Sequence, residues 1–117
     1  MAITVTSPAT KVGWIKNATS ADASGCEEII AAPAAGTAIK IRHLTINNGA
    51  NAISITIGAG ETGGAVTTAL IGPVAFAANT SMQWTFNPPL ELTAATSLTV
   101  DASGAGAICI FGQGVIE

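Results

Sequence analysis

Apolar residues in this chain recur at every second position, in short runs separated by small and turn-forming residues. Ile39-Lys40-Ile41-Arg42 alternates, and so does Ile53-Ser54-Ile55-Thr56-Ile57. A period of two buries one face of a strand, whereas a helix needs a period near 3.6. No stretch carries a helical apolar face, and the supply of Thr, Val and Ile favours strands. The chain is therefore expected to be all-β. With 117 residues and no composition shift that marks a linker, it fits one domain able to bury a core.

The runs can be followed in order. Ile3 and Val5 open a short strand that ends at Ser7-Pro8. Residues 9–22 read as an irregular arm holding Trp14, so residues 1–20 form an N-terminal strand and extended arm ahead of a sandwich at 21–117. Cys26 to Ile30 is a strand, closed by the Ala-rich stretch around Pro33. Ile39 and Ile41 are in phase with each other, but Leu44 and Ile46 are one position out. A one-residue slip flips the buried face, so a bulge belongs near Arg42-His43. Asn47-Asn48-Gly49-Ala50-Asn51 reads as a turn with Gly49 at positive φ, which makes residues 39–57 a hairpin.

Residues 58–64 read as a glycine-rich hairpin loop. Residues 65–71 and 74–76 are apolar strands broken at Gly72-Pro73. Met82, Trp84 and Phe86 share one strand face, and Pro88-Pro89 ends that strand. Leu90 to Leu92 and Leu98 to Val100 are short strands. Asp101-Ala102-Ser103-Gly104, which repeats Asp22-Ala23-Ser24-Gly25, reads as a turn. The stretch 107–116 is apolar on both faces and should be buried on both, centrally or at a subunit contact. About eight to nine short strands with regular turns describe a single-domain β-sandwich, jelly-roll-like, and not a βαβ fold.

Little in the composition supplies chemistry. Charged residues make up 9% of the chain, against the usual ~25%. A surface so poor in charge is expected to be partly covered by other subunits. Four basic residues and a net charge of −3 are too few for a phosphate-tracking groove, so nucleic acid is not an expected partner. No apolar run reaches the ~20 residues of a membrane span. The N-terminal residues lack a basic region followed by an apolar one, so we expect synthesis in a cytoplasm and no classical export.

Individual motifs weigh the same way. Gly58-Ala59-Gly60-Glu61-Thr62-Gly63 matches a dinucleotide fingerprint in spelling, but the Gly and β-branched residues that follow give no helix to meet a pyrophosphate. His43, the one histidine, is the sole candidate general base. Nothing places it beside a nucleophile and an acid such as Asp22 or Asp101. With Cys26 and Cys109 it forms no spaced zinc set, and no Asp-rich loop suggests calcium. The two cysteines allow one disulfide, but both sit at strand positions where a buried free thiol acts as a small hydrophobe. No enzyme activity, cofactor or metal is expected. Trp84 reads as a core filler. Trp14 anchors either its own domain or a neighbouring chain.

The order of strands and turns over residues 38–116 resembles small phage virion proteins. It runs from Ile39-Lys40-Ile41-Arg42-His43-Leu44-Thr45-Ile46 to Ile53-Ser54-Ile55-Thr56-Ile57-Gly58, then to Leu70-Ile71-Gly72-Pro73-Val74. Pro89-Leu90-Glu91-Leu92-Thr93, Ser97-Leu98-Thr99-Val100-Asp101 and Gly112-Gln113-Gly114-Val115-Ile116 close it. The resemblance is to phage head-decoration (cement) proteins. It implies a homotrimeric jelly-roll-like sandwich on the virion's capsid surface, made in the host cytoplasm and bound to the phage major capsid protein. The candidate interface is Lys11, Trp14, Ile15, Lys16 and Phe111. The runner-up is a receptor- or glycan-binding domain of a tail or head fibre using the loops at 58–64 or 101–106. An aromatic content of 4% with no Tyr weighs against it. A small hydrolase using His43 is the third reading.

Overall fold

The computed structural model describes residues 12–20, 26–104 and 107–117. The expected strand at Ile3 and Val5, together with Lys11, Asp22 and the repeat 22–25, lies outside them. Eight strands follow one another without a helix among the described residues: β1 (Val12–Ser20), β2 (Cys26–Ile30), β3 (Ile39–Asn48), β4 (Ile53–Thr62), β5 (Ala65–Phe76), β6 (Ser81–Glu91), β7 (Leu98–Ala102) and β8 (Ile108–Ile116). They form two four-stranded antiparallel sheets, ordered β1-β8-β3-β6 and β2-β7-β4-β5. Every connection except β4 to β5 crosses from one sheet to the other. That is the jelly-roll winding, a double-sheet sandwich.

The core lies between the sheets. Ile39, Ile41, Leu44 and Ile46 of β3 face Ile53, Ile55 and Ile57 of β4, with Leu98 and Val100 of β7 and Ile108 and Ile110 of β8 around them. Each fully buried aliphatic side chain of this kind contributes roughly 1.5–3 kcal/mol. Trp84, Phe86 and Leu90 of β6 are half-buried and pack against this cluster from the sheet edge. Met82, which shares their face, is 40% exposed.

The bulge expected at Arg42-His43 is present. Both neighbours of β3 shift register between Ile41 and His43, and the buried pattern changes phase there. The hairpin expected over residues 39–57 is not. β3 and β4 lie in different sheets, so the 49–52 connection is an arch. The physical reason is that both strands carry a fully apolar face. Across the sandwich the two faces bury one another. Asn48 holds the arch, its Nδ2 donating to the Asn51 and Ala77 carbonyls at 2.7 and 3.0 Å. Gly49 is needed there for space and not for positive φ, because a Cβ would lie 2.6 Å from the Ala107 carbonyl oxygen.

Among the described residues the one hairpin within a sheet is β4–β5. Thr62 pairs with Ala65 across Gly63 and Gly64, whose φ values of 60° and 80° suit a two-residue primed turn. Residues 58–62, expected as loop, therefore belong to β4. β5 runs unbroken through Gly72-Pro73, and β6 through Pro88-Pro89, both absorbing the prolines near sheet edges. Asp101 and Ala102 extend β7 instead of forming a turn.

The stretch 12–20 is not an irregular arm. It pairs with β8 along its whole length, from Val12 opposite Ile116 to Ser20 opposite Ile108. Among its described side chains Trp14 is the inward apolar anchor. Ile57→Ala should lower unfolding stability by about 2–5 kcal/mol, whereas Ile15→Ala on the exposed edge should stay within about 0.5 kcal/mol. Urea titrations of the two variants check this contrast.

Candidate functional site

The two outer faces of the sandwich differ. On the β2-β7-β4-β5 sheet the β4–β5 hairpin folds back over its own sheet. At its tip the Gly64 carbonyl accepts from the Cys26 N–H of β2 at 3.0 Å, and Val66 fills the space above Gly58. Thr99 is fully buried under this cover, its Oγ1 donating to the Gly58 and Gly60 carbonyls at 3.2 and 2.9 Å. Cys26 shares this environment, and burial pushes its thiol above the ordinary value, against a lowering contact from Thr99.

The outer face of the β1-β8-β3-β6 sheet is open. Strand alternation places Ile15 and Asn17 of β1, Cys109, Phe111, Gln113 and Val115 of β8, and His43 and Thr45 of β3 on it. The bulge adds Arg42 beside His43, a re-aiming of side chains that bulges commonly perform. Thr85 of β6 completes the row opposite His43. Both ring nitrogens of His43 are engaged, Nδ1 with Thr85 Oγ1 at 3.3 Å and Nε2 with Thr45 Oγ1 at 3.1 Å. The Cys109 thiol donates to Asn17 Oδ1 at 3.2 Å. Cys26 and Cys109 are free and half-buried, one in each sheet.

Two shallow troughs cross this face and share Arg42 and Gln113 at their junction. One, of about 640 Å³, is lined by Arg42, His43, Thr85, Asn87, Phe111 and Gln113, with Phe86 and Pro89 at its β6 wall. The other runs along the β1 edge past Gly13, Ile15 and Val115. Of the two acids considered for a triad with His43, Asp22 lies outside the described residues and Asp101 is in the opposite sheet, paired with Thr56. Among the described residues no three His, Cys, Asp or Glu side chains gather as a metal site.

The sequence-derived interface residues divide between the two faces of β1. Ile15 is 73% exposed and lies on the open face with Phe111, which is half-buried and one strand away. Trp14 and Lys16 alternate to the other side. The Trp14 ring lies over Gly112 and Gly114 of β8, with ring carbons 3.1 and 3.0 Å from where a Cβ would stand on each. Trp14 therefore anchors its own domain. Its buried indole N–H has no acceptor among the described residues, a cost the ring's contacts must offset. Arg42, Asn87 and Gln113, which sequence reasoning passed over, are the residues the fold adds. The one signal that pointed at them was the phase shift at Arg42-His43. No protein-family model and no curated protein matches the chain.

Gly114→Ala should destabilise by about 1–3 kcal/mol or more, because its Cβ would collide with the Lys40 carbonyl oxygen; thermal unfolding reads this. Gly112→Ala should tilt the Trp14 ring outward, seen as a red-shifted emission in a Trp84→Phe background. Only the thiolate is nucleophilic, so Cys26 with its raised pKa should alkylate more slowly at pH 8 in the folded protein than in urea. Peptide mapping after iodoacetamide treatment measures it.

Proposed function

We propose that this chain is a structural protein of a virion, a decoration protein that binds the assembled phage head and stabilises it. The observation that carries the reading is the β1 edge. β1 pairs with β8 alone, so its second backbone edge is unpaired among the described residues, and Ile15 stands beside that edge almost fully in solvent. An open edge with an apolar side chain is a template for contact with another chain. The jelly-roll winding, the sparse charge and the resemblance of residues 38–116 to head-decoration proteins support the same role. Lys16 is exposed on this strand and offers a cation at the rim.

The mechanism needs no chemistry. A protein that binds the assembled shell and not its free subunits shifts the shell toward its assembled form by mass action. Repetition over a symmetric surface multiplies weak contacts. Self-association into a homotrimer would cover part of the low-charge surface, and the phage major capsid protein is the proposed partner for the rest.

Deleting residues 2–16 should abolish both shell binding and trimer formation. Ile15→Asp should weaken them while leaving the melting temperature of the isolated domain nearly unchanged. Light scattering after size exclusion and co-sedimentation with capsids lacking the protein measure the two effects. Retention of both activities by both variants overturns the reading.

A further inference from the structure

The trough at the junction of β3, β6 and β8 has a composition that a protein–protein contact does not require. Phe111, half-buried, is part of its floor. Around it stand Arg42, Asn87 and Gln113, exposed side chains that make no hydrogen bond or ion pair with another described residue. No carboxylate lines it. The acids nearest in strand order are placed toward Lys40: Glu91 is its cross-strand partner and Glu117 Oε1 is 3.1 Å from its Nζ. Among the described residues Arg42 is thus a cation with no partner of its own, beside an apolar ring and two amides that are likewise unengaged. The His43 ring is held between Thr85 and Thr45, so the wall of the trough is fixed before anything enters.

We infer that this trough binds a carboxylate-bearing saccharide. The apolar face of a sugar ring fits the Phe111 ring. Each hydroxyl both donates and accepts, which matches the amides of Asn87 and Gln113. A uronic or sialic acid carboxylate takes the Arg42 guanidinium, a group suited to paired hydrogen bonds with carboxylates. A peptide strand fits less well, because the backbone groups of β3 and β8 are already engaged by strands on both sides. A strand laid on that face would leave its own N–H and C=O groups without ladder partners. The low aromatic content does not oppose a saccharide, since the geometry uses a single ring. Ile15 and the β1 edge do not line this trough, so the two can be tested by different variants.

The test is a titration of the full chain with oligogalacturonate and sialyllactose, alongside lactose as the neutral control, followed by calorimetry or NMR shifts. At least one acidic sugar should bind, with lactose at least about tenfold weaker. Arg42→Gln should reduce acidic-sugar affinity by about tenfold or more, as expected for losing a charge-assisted pair, and should erase the preference over lactose. Gln113→Ala should weaken both sugars. Thr93→Ala, outside the trough, should change nothing. Absence of saturable binding to either acidic sugar at millimolar concentration overturns the inference. So does binding that Arg42→Gln leaves intact, or a site that takes a poly-glutamate peptide and no sugar. The β1 variant Ile15→Asp should keep sugar binding, so failure of the sugar site and failure of the shell-binding role give different results.

Discussion

The isoleucine faces of β3 and β4 set the rest of the architecture. Consecutive in sequence, they carry Ile39, Ile41, Leu44 and Ile46 on one side and Ile53, Ile55 and Ile57 on the other, all essentially closed to solvent. Neither face can be left in water, and neither can cover itself. Placing the strands in opposite sheets lets one face satisfy the other, and the chain must then arch at 49–52 instead of turning back. Once that arch exists, the remaining strands fall in as neighbours: β6 and β8 beside β3, β5 and β7 beside β4. The buried Asn48 is the polar concession at this point, tying the arch to the turn after β5 through its two donated bonds.

This shows what a period of two does and does not encode. Alternation states which residues are buried, and the phase change at Arg42-His43 located a bulge that both partner strands confirm. It does not state which strand lies alongside. The Asn-Gly signal at 48–49 marks a reversal, but an arch and a hairpin both reverse the chain, so residues 39–57 read as paired when they are not. β1 was obscured for a different reason. An edge strand buries one face only, and in β1 that face is served by Trp14, with Gly13, Lys16 and Asn17 around it. Its evidence sits a hundred residues away, in the missing side chains of Gly112 and Gly114 that make room for the indole. The open face was half legible: Ile15 and Phe111 were among the candidate interface residues, whereas Arg42, Asn87 and Gln113 converge only through three strands distant in sequence.

The asymmetry of the two outer faces has a local cause. β4 and β5 are long, and their turn at Gly63 and Gly64 extends beyond the sandwich and bends back to Cys26. Gly58 permits the approach, since any larger residue there would meet Val66 and the Thr68 backbone. One sheet is therefore covered by its own hairpin, and Thr99 spends its hydroxyl on the carbonyls beneath that cover. The opposite sheet has no such device.

That difference bears on how so uncharged a chain uses its surface. Soluble domains ordinarily spread charge over every face. Here Lys40 and Glu117 neutralise one another at the end where β3 and β8 meet, and Arg42 is exposed on the open face with no ion pair among the described residues. An apolar stripe with one uncompensated cation is a poor surface for solvent and a selective one for a partner, because it attracts an acid and rejects a second cation. The β1 edge supplies area with little selectivity, and the Arg42 trough supplies selectivity with little area. The two features are adjacent on one face, meeting at Arg42 and Gln113, and are of opposite character.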